Sequence, residues 1–520
     1  MKKLLLLSAL FSLTHFYAQD GTLDSSFGNG GKVTTNVNGL EKAHGVVLQS
    51  DGKIVIGGYT YNANTGNDFL CIRYNANGTV DTNFGTNGIA TFDLQPGADD
   101  MAYSIDIDSA GKLYLAGYSD DGTNKNGAVI RLNTDGSLDT SFGTGGKVIT
   151  DFTATVGTNN PVKQDEFKVV KVHFATGKII AAGTGFTATN NSVPIMARYN
   201  PNGTLDTTFN GDGKKIQLPS PITGWTFHFG IEDIAVKPNG KITAVGWIKP
   251  TTGATFYDAD HYEVRINSDG TNDDTFDNDG YDSDNLATSD DKTYAIILNP
   301  DDSFHFGGGH PWNDGMTRMY IGVTSANGAS TTNTTLSFWP NAQPTCYALA
   351  KDSNGKFITG GTMLDATTGN KSFLLARVKP DHSIDNTFGT GGYVMTDFDN
   401  ANNDARDMKL QPDGKIILAG SSGNKVAVAR YHSGTLDNGE VAANAAIKLY
   451  PNPASGHITI DLGGEAGPAK YSISDINGRT VANGQFESNS QINVEDLENG
   501  VYFVNVSVSG KITNLKFIKK

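Results

Sequence analysis

His44, Tyr103, Lys168, Glu232, Tyr294, Tyr347 and Arg406 stand at one equivalent position in seven repeated segments, with one extra residue allowed in the third. Each lies in a stretch that runs into a short turn, as in "AHGVVLQSDGK" from Ala43. The stretches keep their pattern while this position changes in charge and shape. If they line a channel, an imidazole, three phenols, two cations and a carboxylate form a ring of mixed charge and aromatic character. Such a ring suits a polar ligand or a glycan, which needs convergent hydrogen bonds and apolar faces.

A second candidate is the acidic run "NSDGTNDDTFDNDGYDSDN", which offers Asp269, Asp273, Asp277 and Asp279. Alternating aspartates with Gly resemble the oxygen-ligand loops that take calcium. The spacing departs from the EF-hand pattern, so calcium is the one cofactor the chain suggests and no other is expected. His305 and His310 in "FHFGGGH" lack the spacing of a zinc site. No nucleophile elbow or phosphate loop occurs, and "GNGG" and "GTGG" open no helix. Carboxylates paired for glycoside hydrolysis would show only in the fold. Binding is therefore expected ahead of catalysis.

The chain has 520 residues, with 40 basic and 55 acidic side chains and a net charge of −15. It contains no Lys/Arg-rich run, which excludes the electrostatic footprint of a nucleic-acid binder. Cys71 and Cys346 are the only cysteines. Two do not make a disulfide framework, and buried free thiols are expected.

The elements that must position the ring come from an internal repeat. The phrase "DGTLDSSFGNGG" from Asp20 returns from Asn77, Asp135, Asn202, Asp269 and Asp381, with worn copies at Asn327 and Ser433. Eight markers enclose seven units. Each unit also holds one "DGKIVIGGY"-like and one "FLCIRYN"-like segment. The segments are short, β-branched or aromatic-rich, and bounded by Gly, Asp and Asn, so they read as strands joined by a tight hairpin. Four strands per unit, repeated seven times, predict a seven-bladed β-propeller. The last unit lacks its "GKVTT" strand, and the N-terminal region has a spare one from Gly31. That spare strand is expected to complete the final blade and remove an exposed edge.

A second set of residues recurs with the phrase. Arg73, Arg131, Arg198, Arg265, Arg377 and Arg430 are each followed by an aspartate: Asp81, Asp139, Asp206, Asp273, Asp385 and Asp437. The unit with Gly322 in place of the arginine has Thr331 near the place of the aspartate. Joint loss predicts that the two pair as a structural clasp. Breaking one such buried pair costs roughly 3–5 kcal/mol. The phenylalanines that follow, Phe27, Phe84, Phe142, Phe209, Phe276 and Phe388, are expected to plug the gaps between blades.

The units "GTLDTSFGTGGKV", "QPDGKIILAG" and "ARYN" resemble the delta-60 repeats of bacterial exported proteins over roughly residues 20–438. The resemblance implies a propeller-like β fold and no defined activity. At the N-terminus, "MKKLLLLSALFSLTHFYAQD" has the layout of a secretory signal peptide, residues 1–19. No later segment is apolar enough to span a bilayer. After a linker at 439–446, residues 447–520 read as a small Ig-like β-sandwich. Tyr450-Pro451-Asn452-Pro453, Asn477-Gly478-Arg479, Leu497 with Gly500-Val501-Tyr502, and the terminal Lys519-Lys520 resemble the type A C-terminal sorting domain of the type IX secretion system. That resemblance implies the secretion machinery as partner, a Bacteroidetes-type cell, and an extracellular or outer-membrane-surface address. The all-β chain is thus expected to be an exported binding module for glycans or surface proteins. A secreted polysaccharide hydrolase or lyase and a non-catalytic structural surface component are the alternatives.

Overall fold

The computed structural model describes residues 20–153, 161–189, 191–217, 226–252, 258–284, 286, 290–311, 317–338, 342–365, 369–434, 448–462, 469–475, 480–486, 490–508 and 511–520. The signal-peptide and linker segments and Asp437 lie outside them. The chain divides into two compact units, Met1–Thr435 and Leu436–Lys520. Every regular element among the described residues is a strand, and no described helix is long and apolar enough to cross a membrane.

Among the described residues of the first unit are seven four-stranded antiparallel sheets, the blades of a β-propeller. Six follow chain order, from Glu41–Leu48 in the first blade to Tyr393–Thr396 in the sixth. The seventh is assembled from both ends of the unit. Asn403–Leu410, Ile416–Ser422 and Lys425–Tyr431 supply three strands, and Lys32–Thr35 supplies the fourth. Lys32 pairs with Ala429 and Thr35 with Val426, so the spare strand takes the edge position beside Lys425–Tyr431.

The alternation of each strand decides where the cores lie. Both faces of the middle strands are apolar, and each face meets a neighbouring blade. Val47, Val55 and Cys71 of the first blade pack on Ile105, Leu115 and Ile130 of the second. Ile54, Ile56 and Ile72, on the opposite face of the first blade, meet Ile417, Ala419 and Val428 of the seventh. This last cluster closes the ring. Cys71 and Cys346 are buried free thiols inside such clusters, and burial pushes both thiols up.

The second unit pairs a three-stranded sheet with a four-stranded one around Ile458, Ile473, Val504 and Phe517. Asn452 of the Tyr-Pro-Asn-Pro motif accepts from the Ile518 amide at 2.9 Å and donates to the Lys516 carbonyl at 2.9 Å. It therefore clips the motif to the final strand. Asn477-Gly478-Arg479 lies outside the described residues.

Candidate ligand-binding site

The ring position is a β-bulge in every blade. The pairing of first and second strands slips by one residue between Ala43 and Gly45, Ala102 and Ser104, Phe167 and Val169, and Ile231 and Asp233. It slips again between Thr293 and Ala295, Cys346 and Ala348, and Ala405 and Asp407. The skipped residues are His44, Tyr103, Lys168, Glu232, Tyr294, Tyr347 and Arg406. A bulge leaves one residue unpaired and re-aims its side chain. All seven line one cavity of about 400 Å³, enclosed by the first strands of the seven blades.

The glycine in second place of the repeated "GG", "AG" or "VG" of the second strand makes this geometry possible. Gly58, Gly117, Gly183, Gly246, Gly308, Gly361 and Gly420 each face a bulge, and a Cβ there would collide with the carbonyl oxygen two residues before the ring residue. None of these glycines has positive φ. Close backbone approach, rather than a turn, sets the requirement.

Around the cavity the side chains contact one another in two clusters. His44 meets the edge of Tyr103 with ring centroids 5.2 Å apart, and Lys168 Nζ lies 4.0 Å from the Tyr103 centroid. Tyr294 and Tyr347 are 4.9 Å apart, and the Arg406 guanidinium lies 4.3 Å over Tyr347. Glu232 Oε1 accepts from Trp247 Nε1 at 3.0 Å. Burial, with Arg406 beside it, pushes His44 down to about 3, so its imidazole is neutral at ordinary pH. Burial raises the Tyr103, Tyr294 and Tyr347 phenols, and it raises Glu232 against the pull of Lys168.

Two further layers belong to the site and are absent from the expectation above. Deeper in the cavity stand Asp106, Lys171, Asp233, Asp407 and Lys409. Beside the ring, Tyr59 stacks on His44 at 5.5 Å and Tyr118 lies 6.0 Å from Tyr103. Tyr59, Tyr118 and Trp247 each directly follow a bulge-facing glycine. That adjacency was the available signal.

The clasp residues gather at the other ends of the strands. Arg73, Arg131, Arg198 and Arg377 place Nε 2.7–2.8 Å from Asp81, Asp139, Asp206 and Asp385. The lysine of the hairpin joins the same carboxylates, as with Lys178 on Asp206 at 2.6 Å and Lys356 on Asp385 at 2.7 Å. Each guanidinium also donates across the seam to a backbone carbonyl of the next blade's phrase, for example Arg73 to Thr134 and Arg198 to Ser268. The phenylalanine follows beneath it, with Arg198 4.6 Å over Phe209 and Arg377 4.8 Å over Phe388.

Two expected pairs are corrected. Arg430 pairs with Asp24 at 2.8 Å, while Asp437 lies outside the described residues. The N-terminal strand closes the seventh blade, and the Leu23-Asp24 step that precedes it comes along; Leu23 bridges Tyr431 as Val80 bridges Tyr74. Arg265 does not take Asp273, whose carboxylate is held by Lys241 at 2.7 Å. Arg265 instead donates to the Asp302 carbonyl at 2.8 Å, turned toward the fifth blade, where the phrase is worn.

The four aspartates of the acidic run are engaged separately. Asp269 caps Thr271, Asp273 holds Lys241 and Thr275, and Asp279 accepts from the Tyr281 amide. Asp277 sits in the turn at φ 43°. Among the described residues no three His, Cys, Asp or Glu side chains group as a metal-holding set. His305 packs on Phe357 and His382, away from any acidic partner set; the side chain of His310 lies outside the described residues.

Residues 448–520 match the family described as a secretion system C-terminal sorting domain. Residues 49–84, 111–142, 175–209 and 411–439 match the β-propeller domain of unknown function DUF5122. The chain is a β-propeller carried by a type IX secretion sorting domain, and it is secreted or held at the cell surface. No curated protein matches it. Among solved structures it is similar to the Hadza microbial sialidase Hz136, at 11% identity and TM-score 0.41, covering 77% of this chain and 94% of that one. An ulvan lyase of polysaccharide lyase family PL25 matches at 10% identity and TM-score 0.42, covering 77% and 96%. The β-propeller domain of the Trilobed protease from Pyrococcus furiosus matches at 9% identity and TM-score 0.38, covering 76% and 94%.

Proposed function

We propose that the propeller is an extracellular recognition module that binds a glycan end or side branch in the bulge-lined cavity. One observation carries this reading: seven side chains of five kinds, each aimed by a bulge, converge on one concave site. A rigid scaffold that keeps its frame and varies only the side chains at the centre is organised for selecting a ligand. The cavity size falls within the range of small-ligand sites, roughly 300–1,000 Å³. Phenols and an indole beside a carboxylate supply apolar faces and directional hydrogen bonds.

The test is a glycan-array screen of the purified protein with and without calcium, each hit followed by a check for product release. Binding without turnover, lost in Tyr294→Ala and Tyr347→Ala, supports recognition. Turnover would replace it with a polysaccharide-active enzyme, and binding untouched by both substitutions would move the site elsewhere. A screen without hits would leave the surface-protein and structural-component readings in its place.

A further inference from the structure

The cavity contains four cations, and each already has a carboxylate of this chain. Lys168 Nζ lies 2.7 Å from Glu166, which Lys125 also holds at 2.7 Å from the outer side. Arg406 directs Nε and Nη2 at Asp404 Oδ2, at 2.9 and 2.6 Å, and Thr362 fixes the other oxygen of Asp404 at 2.9 Å. Deeper in, Lys409 pairs with Asp407 at 2.9 Å and Lys171 with Asp233 at 3.4 Å.

The deep carboxylates are engaged in turn. Asp106 accepts the Val172 amide at 2.7 Å, Asp233 the Ile296 amide at 3.2 Å and Asp407 the Val46 amide at 2.9 Å. These amides belong to the neighbouring blade, so the acids are part of the frame. The groups left facing a ligand are phenols, a neutral imidazole and Glu232, whose carboxyl burial pushes toward the neutral form.

An anionic sugar would have to displace one of these pairs. Separating a half-buried pair leaves a carboxylate of the protein uncompensated, and its cost sets against the gain from the new contact. Over a chain of net charge −15, long-range repulsion also works against an anion. A hydroxyl-rich, uncharged sugar meets donors and acceptors on every side and disturbs no pair. Resting on the recognition reading above, we infer that the cavity selects an uncharged glycan and discriminates against uronates and sulfated sugars.

The experiment is titration calorimetry on the whole protein with backbone-matched hexasaccharides. Cellohexaose and mannohexaose are compared with their C6-carboxylate counterparts, and a desulfated carrageenan hexamer with its sulfated form. At least one neutral member should bind about tenfold tighter than its charged partner. Its Kd should stay flat from about 50 to 500 mM NaCl, because no counterion exchange accompanies it. Asp404→Asn, which frees Arg406 and keeps a partner for Thr362, should raise affinity for the charged members about tenfold and leave the neutral ones unchanged. Tighter, salt-sensitive binding of a charged member to the unaltered protein would overturn the neutral preference and leave the recognition reading intact. Failure of every hexamer to bind would overturn both.

Discussion

The two ends of the blade strands carry different jobs on the same repeat. At the clasp end of five blades, the arginine, aspartate, lysine and phenylalanine recur with the same partners, and each guanidinium spans a seam to the next blade's phrase. At the ring end, the backbone device recurs as a bulge facing a glycine, while the side chain it aims is different in nearly every blade. Repetition therefore tracks what closes the ring, and variation tracks what a ligand would touch. The fifth blade tests this division, since it has lost the clasp and kept the bulge.

The largest effect should come from the join between chain ends. Asp24→Ala removes the partner of Arg430 at the seam that Lys32–Thr35 completes, and should cost about 3–5 kcal/mol. Asp437→Ala should cost less than about 0.5 kcal/mol, because Arg430 already has Asp24 as its partner. Urea unfolding of the two variants measures the difference, and a larger loss for Asp437→Ala than for Asp24→Ala would show that the phrase at Ser433, not the one at Asp20, closes the clasp.

The seam between the fifth and sixth blades should be the acid-sensitive one. At other seams a phrase glycine faces the clasp phenylalanine of the preceding blade, as Gly78 faces Phe27 and Gly136 faces Phe84, and a Cβ there would collide with the ring. The fifth blade has no such phenylalanine, and the sixth has His382 at the glycine position, at φ 64°, packed on His305 and Phe357. Burial, with His382 opposite and Lys351 nearby, pushes His305 down to about 4 against Asp301; burial also lowers His382 against Asp381. A histidine depressed on folding is neutral in the folded state above its folded pKa. Stability present above the ordinary value near 6.5 is then lost as pH falls toward 4, by up to roughly 3 kcal/mol for His305. Asp100 and Asp165, pushed up by burial to about 6 and 7, act in the opposite direction over this range. The measurement is therefore the difference in unfolding free energy between the protein and His305→Gln, from pH 7 to 4. A difference that does not change with pH would sink this account of the seam. The clasp carboxylates titrate lower: against the cost of burial, Ser26 hydrogen bonds and the Arg430 charge hold Asp24 down at about 2.

Much of this was legible in the sequence because repetition substitutes for an alignment. Seven copies expose the ring position as the one that varies, and joint loss of Arg and Asp at Gly322 and Thr331 links those two. The bulge was not legible, since one unpaired residue leaves no mark on an alternation read in a single strand. Its trace lay in the glycine opposite, which reads equally well as a turn residue. Asp24 was hidden for another reason: the clasp pairs residues in space, and across the closure its aspartate comes from the far end of the chain. Arg265 keeps its place over Phe276 and its bond to the Ala326 carbonyl but adds the Asp302 carbonyl of the next blade, a contact between units that no single repeat displays.

A smaller effect is expected at the bulge glycines. Gly246→Ala places a methyl against the Gly230 carbonyl and must push two strands apart, at about 1–3 kcal/mol. Gly211→Ala meets open space, although at φ 85° it carries backbone strain of about 1 kcal/mol of its own. If Gly246 costs no more than Gly211 in thermal unfolding, close approach is not what selects glycine opposite the bulge.

The smallest change in stability should accompany the clearest change in binding. Tyr294→Phe keeps the aromatic contact with Tyr347 at 4.9 Å and deletes one hydroxyl from the cavity wall. Nothing in the clasp or in the blade-to-blade cores depends on that oxygen, so the unfolding free energy should move by less than about 0.5 kcal/mol. A ligand hydroxyl that lost this partner would lose about 1 kcal/mol of affinity, several-fold in Kd. The comparison with Asp24→Ala then separates the two ends of the blades in a single pair of measurements. Asp24→Ala should unfold early and bind normally while folded, and Tyr294→Phe should fold normally and bind poorly. Should Tyr294→Phe weaken folding as much as it weakens binding, the ring would be part of the frame, and its variation from blade to blade would need another cause.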